Sequence, residues 1–333
     1  MKRFLCFALC FALIFSVSGC GEKEVELTPP PPQEITPPEP VIDEYYTKMQ
    51  TDFRPIAVMI DNDESRSRPQ IGLESAYLIY EIVVEGGATR FLALFNDASL
   101  KKVGPVRSSR HYFLDYAVEN DARYVHAGWS DRAAAEIRSR GINNINGIYE
   151  TIFWRDNTYT SGWHNLYTGL DKVAELSDKK GYSSTTERKL LSYREQDTDI
   201  EGESVTSLSL PYANFYNVEF RYNEEKKVYD RYINGKEHTS QTGDILSAKN
   251  IIVYKVSDVP LNDGINATRR DLLNVGSGSG YYLSNGVAAQ INWQKTGRSA
   301  QTKYTFKDGT PLVLNPGNTY IEIFPSYLEF SFN

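Results

Sequence analysis

Residues 56–60, 78–84 and 91–95 are short runs of β-branched and aromatic side chains standing close together between positions 54 and 110. They are apolar at consecutive rather than alternate positions, which predicts strands buried on both faces. Gly86-Gly87 between the second and third predicts a hairpin. Helical spacing follows. Phe113, Leu114, Ala117 and Val118 share one face behind Ser108 or Ser109 as a cap, and Ser130 caps DRAAAEIRSR ahead of Gly141. Thr168 with Asp171 opens a further helix that runs to Lys180. Strands interleaved with helices predict an N-terminal mixed-sheet α/β domain over residues 51–182.

The pattern changes in the second half. Residues 183–204 are polar and aperiodic and read as a linker. Beyond them, alternating runs at 218–222, 228–233 and 251–256 are punctuated by Asn234-Gly235, Asn285-Gly286 and Asp308-Gly309. This predicts a smaller, mostly antiparallel β domain over residues 205–333, and a fold that is α+β or α/β as a whole. The GSGSG run at 276–280 reads as a flexible connection, because neither Lys-Ser nor a helix follows it as a phosphate loop would need.

Residues 1–20 carry two early basic residues, an apolar run too short to span a bilayer, and Val17-Ser18-Gly19-Cys20. That is a lipoprotein signal peptide with a lipobox, and Cys20 is the predicted lipidation site. The chain has three cysteines, Cys6, Cys10 and Cys20. None lies beyond the lipobox, so the mature chain has no disulfide and no thiolate nucleophile. Residues 21–50 are acidic and proline-rich, and predict an extended tether. The expected location is extracytoplasmic, lipid-anchored on the outer face of the cytoplasmic membrane. A formal net charge of −7 excludes nucleic acid as a partner.

Candidate chemistry gathers at the ends of the buried strands. Asp61, Glu81 and Glu85 are candidate catalytic carboxylates with His164, while Asn62, Arg90, Arg107, Ser108, Arg110 and Asn165 are candidate ligand-binding groups. Glu81 and Glu85 point the same way on a strand or on a helix. Their separation is about 13 Å on a strand and about 6 Å on a helix; the strand spacing is too wide for a glycosidase pair, so Asp61 is the third group. Either these carboxylates and arginines serve a ligand, or they neutralise one another within the fold. In GPVRSSR the serines and arginines are expected at a helix start, where an anion is favoured. The aromatics between Trp129 and Trp163 either stack on sugar rings or pack a loop. The four histidines lack zinc-site spacing, so neither a metal nor another cofactor is expected.

The segments RPIAVMIDN, VEGGATRFLALF, GPVRSSR and HNLY, followed by RYINGKEHTSQTG, AKNIIVYKV, INWQK and LNPGNTYIEI, resemble the YerB-type lipoproteins of Gram-positive bacteria. The resemblance covers nearly everything after the tether. It implies an extracytoplasmic lipoprotein with two domains of unknown function and transfers no catalytic assignment. The expected function is binding, with or without cleavage, of a cell-wall glycan such as peptidoglycan or a related envelope polymer. As an enzyme the protein would be a hydrolase or lyase. The alternative is a non-enzymatic scaffold for another envelope protein.

Cys20→Ala is expected to shift the protein from the membrane to the soluble fraction, because no other stretch is apolar enough to hold it there. Fractionation after an alkaline wash checks this, and substituted protein left in the pellet would remove the lipobox reading.

Overall fold

The three apolar runs form β1 (Ile56–Asn62), β2 (Leu78–Val83) and β3 (Thr89–Phe95), and every residue in each is buried. This computed structural model describes residues 42–63, 65–261, 264–265 and 268–333. The predicted signal peptide, Cys20 and most of the predicted tether lie outside those residues. β2 and β3 make the expected antiparallel hairpin, turned by Gly86 and Gly87 at φ of 71° and 83°. β1 pairs antiparallel with β3 and parallel with β4 (Arg123–His126), which pairs parallel with β5 (Asn144–Asn146).

The free edge of β2 is taken by a strand from the other end of the chain. Thr319–Pro325 pairs parallel with β2 on one side and with Asn250–Pro260 on the other. Gly276–Ser284, Val287–Lys295 and Lys303–Phe306 then extend an antiparallel wing, giving one mixed sheet of 12 strands. Residues 183–204 follow both halves through backbone bonds. Arg54 N–H donates to Ser184 O and Leu314 N–H to Ser192 O, each at 2.8 Å.

The two faces of this sheet are covered differently. A six-stranded antiparallel sheet, built on Ser207–Ala213, Tyr216–Asn223 and Val228–Ile233, lies over one face. It meets the central strand edge-to-face, Phe220 on Tyr320 at 5.5 Å and Tyr212 on Phe324 at 5.0 Å. The other face carries a short helix after residue 112. In chain order the helices are α1 (Glu44–Met49), α2 (Phe113–Glu119), α3 (Asp131–Ser139) and α4 (Leu170–Lys179). α2 packs Tyr116 on Tyr80 of β2 at 4.9 Å. The α/β reading of the N-terminal half and the antiparallel reading of the C-terminal half therefore both hold.

Local expectations fared unequally. Ser130 caps α3 by accepting from Ala133 N–H, with Gly141 in the left-handed region beyond it. Asn234-Gly235 and Asn285-Gly286 take positive φ at both positions, as a two-residue hairpin turn requires. Thr168 does not cap α4; it belongs to a strand, and Gly169 is the cap residue. α2 starts at Phe113, so Arg107, Ser108 and Ser109 lie on extended backbone, where Val106 bridges Ile60 and Ser109 bridges Trp129. The helix-start anion site is thereby lost. α1 falls at the end of the tether segment because Asp43 caps it, accepting from Tyr45 N–H at 2.7 Å. The GSGSG run opens a strand instead of a flexible connection. Its glycines let neighbours close in, since a Cβ on Gly280 would stand 2.5 Å from the Val253 carbonyl oxygen.

Gly280→Ala is accordingly expected to cost about 1–3 kcal/mol through forced backbone displacement. Gly297→Ala, with nothing within 4 Å of the added carbon, is the control and should stay within about 0.5 kcal/mol of wild type. Urea unfolding of both variants measures the difference.

Candidate functional site

Successive side chains on a strand point to opposite faces, so Asp61 and Asn62 at the end of β1 enter two different environments. Asp61 faces the side carrying α2. Its Oδ2 accepts from His164 Nδ1 at 2.7 Å and pairs with Arg107 Nε at 3.2 Å, and its Oδ1 accepts from Asp63 N–H at 3.0 Å. Burial alone would raise the Asp61 pKa, but the His164 hydrogen bond, Arg107 and Arg90 outweigh it and hold the carboxyl below its ordinary value. An ionised Asp61 fixes the His164 proton on Nδ1. The other ring nitrogen, Nε2, has no protein partner among the described residues.

Asp63 extends the cluster, pairing with Arg107 at 3.0 Å and Arg90 at 3.5 Å. Arg90 stands opposite Asp61 in the β1–β3 register and donates to Ser108 O at 2.9 Å. Beside it Arg110 grips Glu85 with bonds of 2.5 and 3.0 Å. Burial pushes the Glu85 carboxyl up, but Arg110 and Arg90 bring it below its usual range. Asp63, Glu85 and Arg90 line an open cleft of about 330 Å³, with Phe215 on its rim from the second sheet.

The opposite face holds a sealed polar cluster. Glu81 is fully buried; its Oε1 accepts from Tyr216 OH and Thr89 Oγ1, each at 2.6 Å, and from Asn62 Nδ2 at 3.2 Å. Its Oε2 takes Arg231 at 2.5 Å, and Arg231 is also fully buried. Arg231 further donates to His238 Nδ1, so the His238 proton sits on Nε2 and is given to Gln70 Oε1 at 2.7 Å. Burial, Arg231 and Arg68 hold His238 well below its ordinary pKa, hence neutral. Gln70 completes the chain by donating to the Asp61 carbonyl at 3.0 Å.

A second buried carboxyl, Glu322, stands opposite Glu81 in the parallel register. Burial and the Glu81 charge raise its pKa well above the usual value, so it is protonated at neutral pH. Tyr212 OH donates to its Oε2 at 2.7 Å. Its Oε1 receives no donor, as fits an oxygen that carries the proton and turns it toward Glu81.

Of the residues singled out from sequence, the structure gathers Asp61, Glu85, Arg90, Arg107, Ser108, Arg110 and His164 around one region. Glu81 and Asn62 lie with the sealed cluster on the other face. Asn165 is drawn aside, bonded to Arg155 at 2.5 Å and Asn157 at 2.6 Å. Glu81 and Glu85 do not share a face, because β2 ends at Val83 and the turn through Gly86 carries Glu85 away. Sequence reasoning missed Asp63, Arg231, His238 and Glu322. Glu322 gave the same signal as Glu81, a lone charge within an apolar run. Arg231 gave a weaker one, standing in phase with Tyr229 and Ile233 on the inward face of its strand.

Two family models match the chain, the N-terminal domain of "Protein of unknown function (DUF3048)" over residues 44–183 and its C-terminal domain over residues 208–321. This chain belongs to the DUF3048 family. It is 32% identical over 327 residues to the Bacillus subtilis (strain 168) protein described as "Putative lipoprotein YerB", covering 96% of this chain and 94% of that one. The crystal structure of YerB from Bacillus subtilis superimposes with a TM-score of 0.75 at 30% identity, over 85% of this chain and 94% of that one. Within this DUF3048 chain the N-terminal match supplies Asp61, Glu81 and His164, and the C-terminal match supplies Tyr216, Arg231 and His238.

The sealed cluster sets a pH dependence. A native Glu322 keeps a proton that the unfolded chain releases near pH ~4.3. Its contribution to stability is therefore complete below that pH and declines as pH rises toward the raised native value. Glu322→Gln removes this decline, so its stability relative to wild type should improve from pH 4 to pH 8. Glu81→Gln strands Arg231 and should cost about 3–5 kcal/mol. Denaturant unfolding across pH measures both.

Proposed function

We propose that the protein is a lipid-anchored lipoprotein on the outer face of the cytoplasmic membrane that binds an envelope glycan around Asp61, His164 and Arg107 without cleaving it. The observation carrying this reading is a concentration of exposed aromatics on the segment that delivers His164. Trp163 is 75% exposed and Tyr149 69% exposed, with Tyr159 nearby in sequence. Indole and phenol rings left in water suit the apolar face of a sugar ring, while the part-exposed Arg107 and His164 Nε2 suit its polar groups. Binding is favoured over cleavage because Glu81 is sealed in its Arg231 pair and Glu85 is held by Arg110, so neither of these two carboxyls is free to flank a glycosidic bond. A protein-interaction scaffold is the second reading, favoured by the way Asp61, Asp63 and Glu85 are neutralised by Arg90, Arg107 and Arg110.

Purified, protein-free sacculi should retain the wild-type protein and release no soluble muropeptides. Trp163→Ala should weaken retention about tenfold, the loss of one stacking contact worth ~1.4 kcal/mol, with an unchanged melting temperature. Retention only on sacculi that still carry their proteins would replace this reading with the scaffold.

A further inference from the structure

A second cavity, of about 250 Å³, lies at the opposite end of β1 from Asp61. It is bounded by Pro55, just before β1, and by Leu78 at the start of β2. Asp61 stands six positions along the strand from Pro55, roughly 20 Å at the rise of an extended chain, so the cavity is distinct from the cleft. α1 and residues 186–193 form its outer wall. Its size is just below the ~300 Å³ at which drug-sized ligand sites begin, which selects a small molecule rather than a polymer.

Three kinds of chemistry line it. Phe53, Tyr77, Leu78, Leu190 and Leu191 give an apolar surface. Asn96 and Asn120 are buried, 7% and 3% exposed, and both spend their amide nitrogens on the protein. Asn96 Nδ2 donates to Lys48 O at 3.4 Å, and Asn120 Nδ2 donates to Tyr80 OH at 3.0 Å and Tyr116 O at 2.8 Å. Their carbonyl oxygens receive no donor among the described residues, which leaves two acceptors for a ligand. Arg188 and Lys189, both exposed, are the cations of the lining. Each is held only by neutral oxygens, Arg188 at Val118 O and Lys189 at Met49 O and Gln50 Oε1. Neither has a carboxylate partner among the described residues.

We propose that this cavity binds a free amino acid with an apolar side chain. Its ammonium group donates to the Asn96 and Asn120 carbonyls, its carboxylate pairs with Arg188 and Lys189, and its side chain lies on Phe53, Leu78 and Leu190. Each ligand group meets the complement it needs: acceptors without donors, cations without anions, and an apolar wall. The site does not depend on glycan binding at the cleft.

Titration calorimetry of the full folded chain with L- and D-leucine and L- and D-phenylalanine tests this. At least one of the four is expected to bind with a millimolar or tighter constant. Its N-acetyl derivative, which lacks the ammonium group, and its methyl ester, which lacks the carboxylate, should each bind at least tenfold more weakly. The double variant Arg188→Gln, Lys189→Met changes exposed side chains only and should reduce affinity at least tenfold at an unchanged melting temperature, whereas Trp163→Ala should leave it unaltered. No heat of binding from any of the four amino acids at about 10 mM overturns the proposal. So does equal binding of the ester and N-acetyl forms, or full affinity in the double variant.

Discussion

The ion pair between Glu81 and Arg231 is buried on both sides, and the packing of the two sheets turns on it. Removing two opposite charges from water is repaid only when geometry is close and the remaining polar atoms find partners. Here Tyr216, Thr89 and Asn62 complete the Glu81 shell, and Phe91, Phe220 and Tyr320 surround the guanidinium at 5.2, 5.7 and 6.0 Å. A slip of one residue in the second sheet would turn Arg231 away and leave Glu81 without its cation. The pair therefore selects one register as well as one partner face.

That constraint reaches the cleft. Arg231 orients His238, His238 orients Gln70, and Gln70 holds the Asp61 carbonyl. The end of β1 is thus fixed from behind, while Arg107 and His164 fix the Asp61 carboxylate from in front. Groups held in this way are preorganised, the condition under which a site loses little free energy to ordering. The same arrangement explains why the charged groups of the cleft are supported from both halves of the chain.

The central strand Thr319–Pro325 ties the halves more firmly than a linker could. It pairs in parallel on both sides and brings Glu322 beside Glu81. Two carboxyls that close cannot both ionise away from water, so one keeps a proton. The same insertion buries the edge of β2 that a free N-terminal domain would leave open to pairing with another chain. Around this shared sheet the chain keeps two separate concavities at opposite ends of β1, the cleft beside Asp63 and the cavity beside Pro55.

The sequence by itself determined what depends on neighbours along the chain. Consecutive apolar residues specified β1, β2 and β3; Asn-Gly pairs specified the hairpins at 234–235 and 285–286; Ser130 specified the start of α3; and several ordered segments together specified the family. Only the tertiary structure decided which charges meet. Glu81 finds Arg231 across 150 residues, and Asp61 finds His164 across 103. Asn62, adjacent to Asp61, is sent to the other face by the alternation of the strand. Thr168 and the GSGSG run were claimed by sheet pairing over their local turn and cap chemistry, because backbone groups buried between two strands must be paired whatever the side chains prefer.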